Sequence, residues 1–492
     1  MRKSRCPGGC SDCQGLSRRR FIAGVSAAAG AIIAGCGETI QLDPVGERIS
    51  QAGPASKCRP TVRACFVRRK EDYGMRWPGA VYDGQAARRM YTEQIAESAR
   101  KLGLTLDLLP EPIYSAAEAD AWVAQSVQAK PDGLLVVLLD RQEHAWPTAG
   151  KAIDSKIPTV VFSPLGSSFT TNTAGPSRKP GCFICSTDDF TQVQYGLKML
   201  WAAAKVRATR LLVIRGYKRA DAELPHLGMS LRYVPAGDFL DEYKRTPDSE
   251  EILAMADQYM RRARRQSGAT RQDVINGIKS YVVARTLLRR EQADAITMDC
   301  LGALGHTKVS LPCIAWSRMN DDGIPAACEA DLGAAASQTL VQYLFDRPGF
   351  QQDPVAETAR GAVIGAHCSC PTRLNGFDKP AEPFDIIHHH GNRDAVPRTL
   401  WRRGQRVTCI DVLPGGTGLK NVPTKMLISA GEVLENVSVP PAGGCVVSVM
   451  VRFDNVKDVL AFPGFHQVFF YGDFKDQLAQ YCHLMNLEPV IV

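Results

Sequence analysis

The feature that most constrains the fold is an alternation of short apolar runs with amphipathic segments over the first two thirds of the chain. "DGLLVVLLD" and "IPTVVFSP" are continuous apolar runs, which are typical of strands buried on both faces of a parallel sheet. "TVRACFVRR" and "LTLDLLP" also have strand character, and amphipathic helices are predicted at Gly84–Leu102 and Ala116–Gln128. Strands that alternate with helices at this spacing predict an α/β domain with a doubly wound sheet over residues 61–170.

A second cycle of the same kind begins near "GCFICSTDD". A helix is predicted at about Phe190–Lys205, followed by the strand "TRLLVIRG", a long helical region at Ser249–Glu291 and the segments "ADAITMDCLG" and "LPCIAW". We therefore expect a second flavodoxin/Rossmann-like α/β domain over residues 171–325.

The pattern changes beyond about Pro354. "RGAVIGAHCSCP", "QRVTCIDVLP", "KMLISAGEVLE" and "CVVSVMVRF" are short strand-like runs separated by Gly and Pro turns. Such runs are typical of an antiparallel barrel or sandwich. Residues 326–492 are therefore predicted to form a β-rich, antiparallel barrel-like C-terminal domain, which closes with a strand, a helix and a terminal strand.

Residues 1–36 have the composition of an export signal. "SRRRFI" contains Arg18 and Arg19 in the twin-arginine form, and a short apolar segment of small residues follows it. The segment ends in a lipobox-like Ile-Ala-Gly-Cys, so Cys36 is predicted to carry a lipid that anchors the protein to a membrane outside the cytoplasm. A short buried helix is the alternative interpretation. Residues 37–60 are predicted to be a polar tether.

The net charge excludes one class of partner. The chain carries a formal charge of +8, but residues 1–35 hold six Lys/Arg and one Asp. Without them, 53 basic and 50 acidic residues leave a charge of +3. No basic block with interleaved aromatic residues follows the leader, so nucleic acid is not an expected partner.

The sixteen cysteines do not form a recognisable zinc motif. Four of them lie in the leader, and among the other twelve the only CxxC pair is Cys182–Cys185, whereas a zinc ribbon needs two such pairs. Disulfides are possible outside the cytoplasm. However, the twin-arginine route exports chains that have already folded in a reducing compartment, which favours free, buried thiols.

Three common active-site motifs are absent: the G-x-G-x-x-G fingerprint after a strand, the G-x-x-x-x-G-K-[ST] loop and the G-x-S-x-G elbow. The sequence instead places two acids, Glu329 and Asp331, between the strand-like "GIPAAC" and an amphipathic helix. Acids at a helix N-terminus are favourable by about 0.3–1 kcal/mol through the helix dipole alone. The carboxyl ends of parallel strands are also where α/β folds bind ligands, so these acids are candidate ligands of a hard divalent cation.

An imidazole would complete such a site, and several histidines are candidates. His466 follows the Pro-Gly turn in "AFPGFHQVFFYGD", and His367 lies among small residues in "GAHCSCP". In the run of three histidines, only His388 and His390 would share one face of an extended segment.

The segments "GIPAACEADLGAAASQTLVQYLFDRPGF", "IGAHCSCPTRL", "GEVLENVSVPPAGGCVVSVMVRFD" and "FPGFHQVFFYGDFKDQL" occur in an order and spacing that resemble the L-fucose isomerase family. The resemblance is specific over about residues 320–485. It implies two α/β domains and a C-terminal β domain, and an aldose–ketose isomerase with a divalent metal, usually manganese, held by two carboxylates and a histidine. It also implies a homo-oligomer, a hexamer or a trimer.

Carried over residue by residue, the resemblance implies that Asp331 and His466 are metal ligands. Asp331 and Glu329 are the implied catalytic acids that move the proton in the ene-diol reaction. The second ligand acid of the family falls where this chain has Ala303, and Asp299 is the candidate substitute. His367, His388 and His390 are the candidate sugar-binding residues, and the last two lie where relatives carry an H-x-E segment.

Two functions therefore remain open from the sequence. The first is a metal-dependent isomerase of a fucose- or arabinose-type sugar, exported by the twin-arginine route as a lipoprotein. The second is a non-catalytic sugar-binding lipoprotein on the same scaffold, which the replacement of several polar family residues would favour.

Overall fold

The computed structural model describes residues 51–71, 73–389, 393–415, 423–437 and 446–492. The predicted leader, Cys36 and most of the tether lie outside the described residues, as does His390. The described helices are α1 Pro54–Lys57, α2 Gly84–Leu102, α3 Ala116–Ala129, α4 Ala145–Asp154, α5 Thr170–Thr173, α6 Thr191–Ala208, α7 Ala236–Arg245, α8 Glu250–Arg262, α9 Arg271–Arg290, α10 Cys300–Leu304, α11 Cys313–Asp321, α12 Leu332–Phe345 and α13 Lys475–Met485. Within the described ranges, none of these helices is long and apolar enough to cross a membrane.

The first sheet has five parallel strands in the order β4-β1-β5-β6-β7. These strands are β1 Thr61–Val67, β4 Thr105–Leu108, β5 Gly133–Leu138, β6 Thr159–Ser163 and β7 Cys182–Ser186, and the hairpin β2 Tyr73–Arg76 and β3 Ala80–Asp83 precedes α2. Strands β5 and β6 are fully buried, as their continuous apolar sequences predict. The Rossmann-like parallel sheet expected from the alternating pattern is therefore confirmed.

The second sheet has the order β13-β12-β8-β10-β9, and all of its strands are parallel except β9 at the edge. Its strands are β8 Arg210–Ile214, β9 Ala220–Leu224, β10 Met229–Val234, β12 Ala295–Met298 and β13 Ala326–Cys328. A small third sheet consists of β11 Arg265–Ser267, β16 Phe384–His389 and β17 Arg393–Thr399.

The C-terminal strands form a closed six-stranded antiparallel barrel, which confirms the β-rich prediction. Its order is β18-β21-β14-β15-β20-β19, and pairing between β18 and β19 closes it. The strands are β14 Phe350–Glu357, β15 Ala362–His367, β18 Arg406–Leu413, β19 Lys425–Asn436, β20 Val447–Phe453 and β21 Gln467–Tyr471, with β22 Glu488–Ile491 added in parallel to β19.

The long helical region expected at Ser249–Glu291 is not continuous. It is divided into α8 and α9, because Arg264 and Arg265 turn toward β16 and both pair with the buried carboxylate of Asp385 at 2.9 Å. The partner of these arginines lies more than a hundred residues away, so no local pattern could predict the interruption.

The described residues, from 51 to 492, belong to one compact unit. One hydrophobic cluster extends from the first sheet through α6 and α12 to the barrel, and includes Val160, Leu197, Leu340 and Val468. Strand β7 is an edge of the first sheet, although its sequence suggested the start of a second domain. The predicted boundaries at 170 and 325 stay predictions.

Candidate metal centre

The two acids of the predicted site follow β13, at the carboxyl end of the second sheet. Glu329 and Ala330 have left-handed backbone conformations, with φ of 64° and 54°. Non-glycine residues adopt this region rarely and at a cost of about 1–3 kcal/mol, and such strain concentrates at functional sites. The strained turn leads directly to Asp331, which caps α12 by accepting a hydrogen bond from the backbone N–H of Ala334 at 2.7 Å.

His466 lies directly before β21 and contacts both predicted acids. Its Nδ1 lies 3.0 Å from Asp331 Oδ2, and its Nε2 lies 3.4 Å from Glu329 Oε2. Gly464 with φ of 88° and His466 itself with φ of 56° form the tight turn that the sequence predicted. The structure therefore brings His466 to two acids that lie far from it in the chain.

A third carboxylate, that of Asp353, completes the acidic surround of His466. Asp353 lies on β14, and its Oδ1 is 3.2 Å from His466 Nε2. The register explains the contact, because Gln352 on β14 pairs with Gln467 on β21, so that their neighbours Asp353 and His466 also lie close together. The sequence analysis missed Asp353, and its one signal was an acid in an otherwise uncharged strand start, "FQQDP".

His367, the last residue of β15, lies beside the same acids. It is buried, its Nε2 is 3.8 Å from Glu329 Oε1, and its ring centroid is 5.7 Å from that of His466. Burial and the neighbouring charge of His466 lower the pKa of His367 to about 4. His367 is therefore a neutral imidazole at physiological pH, which is the form that binds metals.

Charge governs the protonation of the other groups. Burial alone would lower the pKa of His466, but hydrogen bonds and charge from Asp331, Glu329 and Asp353 outweigh it and raise the pKa to about 10. The close contact with the imidazolium of His466 holds the pKa of Glu329 below its usual range. Burial raises the pKa of Asp353. Without a cation, the site thus holds an imidazolium among carboxylates.

Asp411 on β18 is a second acid that the sequence analysis missed. Burial and the charge of Asp331 raise the pKa of Asp411 to about 7. A Cβ at Gly464 would lie 2.8 Å from Asp411 Oδ2, so this carboxyl packs directly against the turn that carries His466. Its signal in the sequence was a single acid inside the apolar run "TCIDVL".

The residues present fit a divalent cation. One ligand atom each from Glu329, His367 and His466 lies within 4.8 Å of the others. Among the described residues, the buried His367 Nε2 has no hydrogen-bond partner, whereas His466 Nε2 and Asp353 Oδ1 lie 3.2 Å apart as an ion pair without hydrogen-bond geometry. Buried polar atoms that make no hydrogen bond are costly, and a shared cation would satisfy both His466 Nε2 and Asp353 Oδ1.

The remaining predicted site residues lie elsewhere or are otherwise engaged. Asp299 follows β12 and caps α10, where it accepts a hydrogen bond from Gly302 N at 3.1 Å. It does not belong to the ligand group above, and its role as a ligand stays a prediction. His388 lies in the third sheet with its Nε2 3.6 Å from Asp273 Oδ2.

No protein-family model matches the chain. The chain is similar to a curated protein, the sulfoquinovose isomerase of Clostridium sp. (strain MSTE9), at 24% identity over 303 residues. The matched region covers 56% of this chain and 62% of the relative, so it spans less than two thirds of that protein's length. The chain is thus distantly related to a sugar isomerase.

Proposed function

We propose that the protein is an aldose–ketose isomerase that binds a divalent cation, Mn²⁺ by resemblance, at His466, Glu329 and Asp353. The observation that carries the proposal is the convergence of three carboxylates and one imidazole, which adjoin or lie on β13, β14 and β21, on a point where the buried His466 Nε2 and Asp353 Oδ1 make no hydrogen bond. The distant similarity to the sulfoquinovose isomerase supports the same reaction class.

The two ring nitrogens of His466 have different roles in this proposal. Nε2 faces Glu329 and Asp353, so it would bind the cation together with their oxygens. Nδ1 faces Asp331 Oδ2, which gives the arrangement in which a carboxylate orients a ligating histidine. Asp331, expected to be a ligand, is therefore proposed to position His466. The cation would act as a Lewis acid on the sugar carbonyl.

Proton movement between C1 and C2 of the sugar needs a carboxylate that reaches the substrate. Both oxygens of Asp331 are engaged, one with Ala334 N and one with His466. The side chain of Glu329 is 34% exposed, and its lowered pKa means that the carboxylate is ionised before the transfer. We assign the proton transfer to Glu329, and the neutral His367 beside it to binding a sugar hydroxyl.

The alternative function, a non-catalytic sugar-binding lipoprotein, rested on the family carboxylate that is replaced by Ala303. Asp353 offers a carboxylate 3.2 Å from His466 Nε2, so this argument against catalysis loses its force. The substrate class is proposed to be a fucose- or arabinose-type aldose. Sulfoquinovose is also tested, because the similar curated protein is a sulfoquinovose isomerase.

The first test uses residues 37–492, purified with and without added Mn²⁺. Bound metal is measured by mass spectrometry, and ketose formation is assayed with L-fucose, arabinose and sulfoquinovose. We expect Asp353→Asn and His466→Gln to lose the metal and to lower kcat/KM by at least about 100-fold, the effect of removing one preorganised electrostatic group. The control is Asp120→Asn on α3, whose carboxylate is 65% exposed.

The outcomes separate the two functions. Turnover that depends on Mn²⁺ and is retained in the control supports the isomerase. A protein without metal and turnover that is nevertheless stabilised by a sugar supports the binding protein. Turnover that Asp353→Asn leaves unchanged would contradict the proposed ligand set.

The location outside the cytoplasm is a separate proposal, and it rests on the leader alone. We propose export by the twin-arginine route and a lipid anchor on Cys36. A double change, Arg18→Lys with Arg19→Lys, is expected to retain the protein in the cytoplasm in a cell-fractionation experiment. Cys36→Ser should still be exported but should leave the membrane fraction, and unchanged fractionation of both variants would contradict the proposal.

A further inference from the structure

Four cysteines form a cluster in the core around β13. Cys300 begins α10, Cys313 begins α11, Cys328 ends β13 and Cys368 follows β15. None is more than 7% exposed. The four residues come from four different elements, which explains why the search for CxxC pairs could not find them.

Two of the sulfur atoms are in contact, and a third lies near them. Cys313 Sγ is 3.4 Å from Cys368 Sγ, and Cys328 Sγ lies within 4.8 Å of Cys368 Sγ. The buried His389 on β16 adds a nitrogen, because one ring nitrogen of His389 and the sulfurs of Cys313 and Cys368 all lie within 4.8 Å of one another.

We propose that this cluster is a second metal site, specific for a soft cation such as Zn²⁺, with Cys313, Cys368 and His389 as ligands and Cys328 as the fourth. Zn–S bonds of about 2.3 Å and Zn–N bonds of about 2.0–2.1 Å in a tetrahedron separate the ligand atoms by roughly 3.5–3.8 Å. The Sγ–Sγ distance of 3.4 Å between Cys313 and Cys368 is close to this value, whereas Cys328 Sγ, which lies within 4.8 Å of Cys368 Sγ, has to move closer to become the fourth ligand.

Ligand chemistry distinguishes the two centres. The first offers carboxylate oxygens and imidazole, which suit Mn²⁺, whereas the second offers mainly thiolates, which suit zinc. His367 lies between them, with Nδ1 3.6 Å from Cys368 Sγ and Nε2 3.8 Å from Glu329 Oε1. A cation bound by Cys368 would therefore hold in place the sulfur atom that contacts the His367 ring.

Binding has to release protons. A cysteine binds zinc as a thiolate, so each one that binds the cation gives up its proton to solvent. Because the ligands are buried, we expect the ion to enter while the chain folds.

The test uses residues 37–492 produced with Zn²⁺ and, separately, with Co²⁺ in the growth medium. After desalting, zinc and manganese are counted by mass spectrometry, and the cobalt protein is examined for the ultraviolet sulfur-to-cobalt charge-transfer band. We expect one equivalent of zinc in the zinc protein and the ultraviolet charge-transfer band in the cobalt protein. Cys313→Ser and Cys368→Ser should lose both, whereas the matched control Cys185→Ser, a buried thiol of the first sheet, should keep both.

Asp353→Asn distinguishes the failure of this proposal from that of the isomerase. It should lose the manganese of the first centre and keep the zinc and the charge-transfer band. If the serine variants do not fold, release of zinc from the unmodified protein on titration with a mercurial thiol reagent shows whether cysteines hold the ion. A cobalt protein without the band, equal zinc in all variants, or a Cys313–Cys368 disulfide in the isolated protein would overturn the proposal.

Discussion

Asp321 shows at the scale of one residue how burial couples protonation to stability. It ends α11, and its carboxylate accepts hydrogen bonds from Thr372 N, Thr372 Oγ1 and Arg373 N. Burial outweighs these bonds and raises the pKa of Asp321 to about 6. The folded state therefore holds this proton more tightly than the unfolded chain does. The resulting stabilisation is complete below about pH 4 and is lost as the pH rises through about 6.

We expect Asp321→Asn to remove this dependence while retaining the fold, because an amide oxygen can still accept the two backbone bonds. Relative to the wild type, the variant should gain up to roughly 3 kcal/mol of unfolding free energy between pH 4 and pH 7, at 1.36 kcal/mol per pKa unit. Urea unfolding at several pH values measures the difference. Parallel profiles for wild type and variant would contradict the assignment to Asp321, and Asp120→Asn should give such parallel profiles.

Residues in the candidate metal centre differed in how far the sequence could predict them. Glu329 and Asp331 were identifiable because they stand at a strand–helix junction, and His466 because it follows a Pro-Gly turn. Asp353 and Asp411 each lie inside a strand, and only the pairing of β14 and β18 with β21 brings them to His466. Such pairing joins distant segments, so the position of these two acids has no local signature.

Among the secondary-structure elements, α12 is capped by a side chain, that of Asp331, which has two functions. Asp331 caps the helix through Oδ1 and orients His466 through Oδ2. Asp331→Ala should lower the unfolding free energy by about 1 kcal/mol through loss of the cap, and Asp331→Asn should retain most of it. Both changes should weaken Mn²⁺ binding by about 10–100-fold, because the charge that orients His466 is lost.

A second capping residue provides the control for this prediction. Ser115 caps α3: its Oγ accepts a hydrogen bond from the backbone N–H of Glu118, and its own backbone N–H donates to the Glu118 side chain. Ser115→Ala should cost a similar amount of stability in denaturant unfolding but leave the Mn²⁺ affinity unchanged in a calorimetric titration. Equal metal affinity in wild type and both Asp331 variants would show that Asp331 acts only as a cap.

The sequence pattern predicted elements well where a segment's own residues determine its structure. The continuous apolar runs predicted β5 and β6, and the amphipathic segments predicted α2 and α3. Prediction failed where a distant partner decides the local structure. Arg264 and Arg265 interrupt a helical pattern because they pair with Asp385, and β7 joins the first sheet through its pairing with β6.

At the scale of the whole molecule, the candidate metal centre joins the second sheet to the barrel. Glu329 and Asp331 follow β13, whereas Asp353 and His466 belong to the barrel. A cation bound there interacts with the folded state only, and stabilises it by RT ln(1 + [L]/Kd), about 2.7 kcal/mol at a hundred times Kd. The two layers share one hydrophobic cluster, so the gain should extend to global unfolding.

We therefore expect Mn²⁺ to raise the Tm of residues 37–492 in a concentration-dependent way, with a single cooperative transition in calorimetry. Asp353→Asn should unfold at a Tm that Mn²⁺ does not change, because the variant lacks one of the carboxylates that binds the ion. Asp120→Asn should respond as the wild type does. An equal rise in Tm for Asp353→Asn would mean that the stabilising ion binds elsewhere, and a rise confined to the first of two transitions would mean that the barrel unfolds independently of the second sheet.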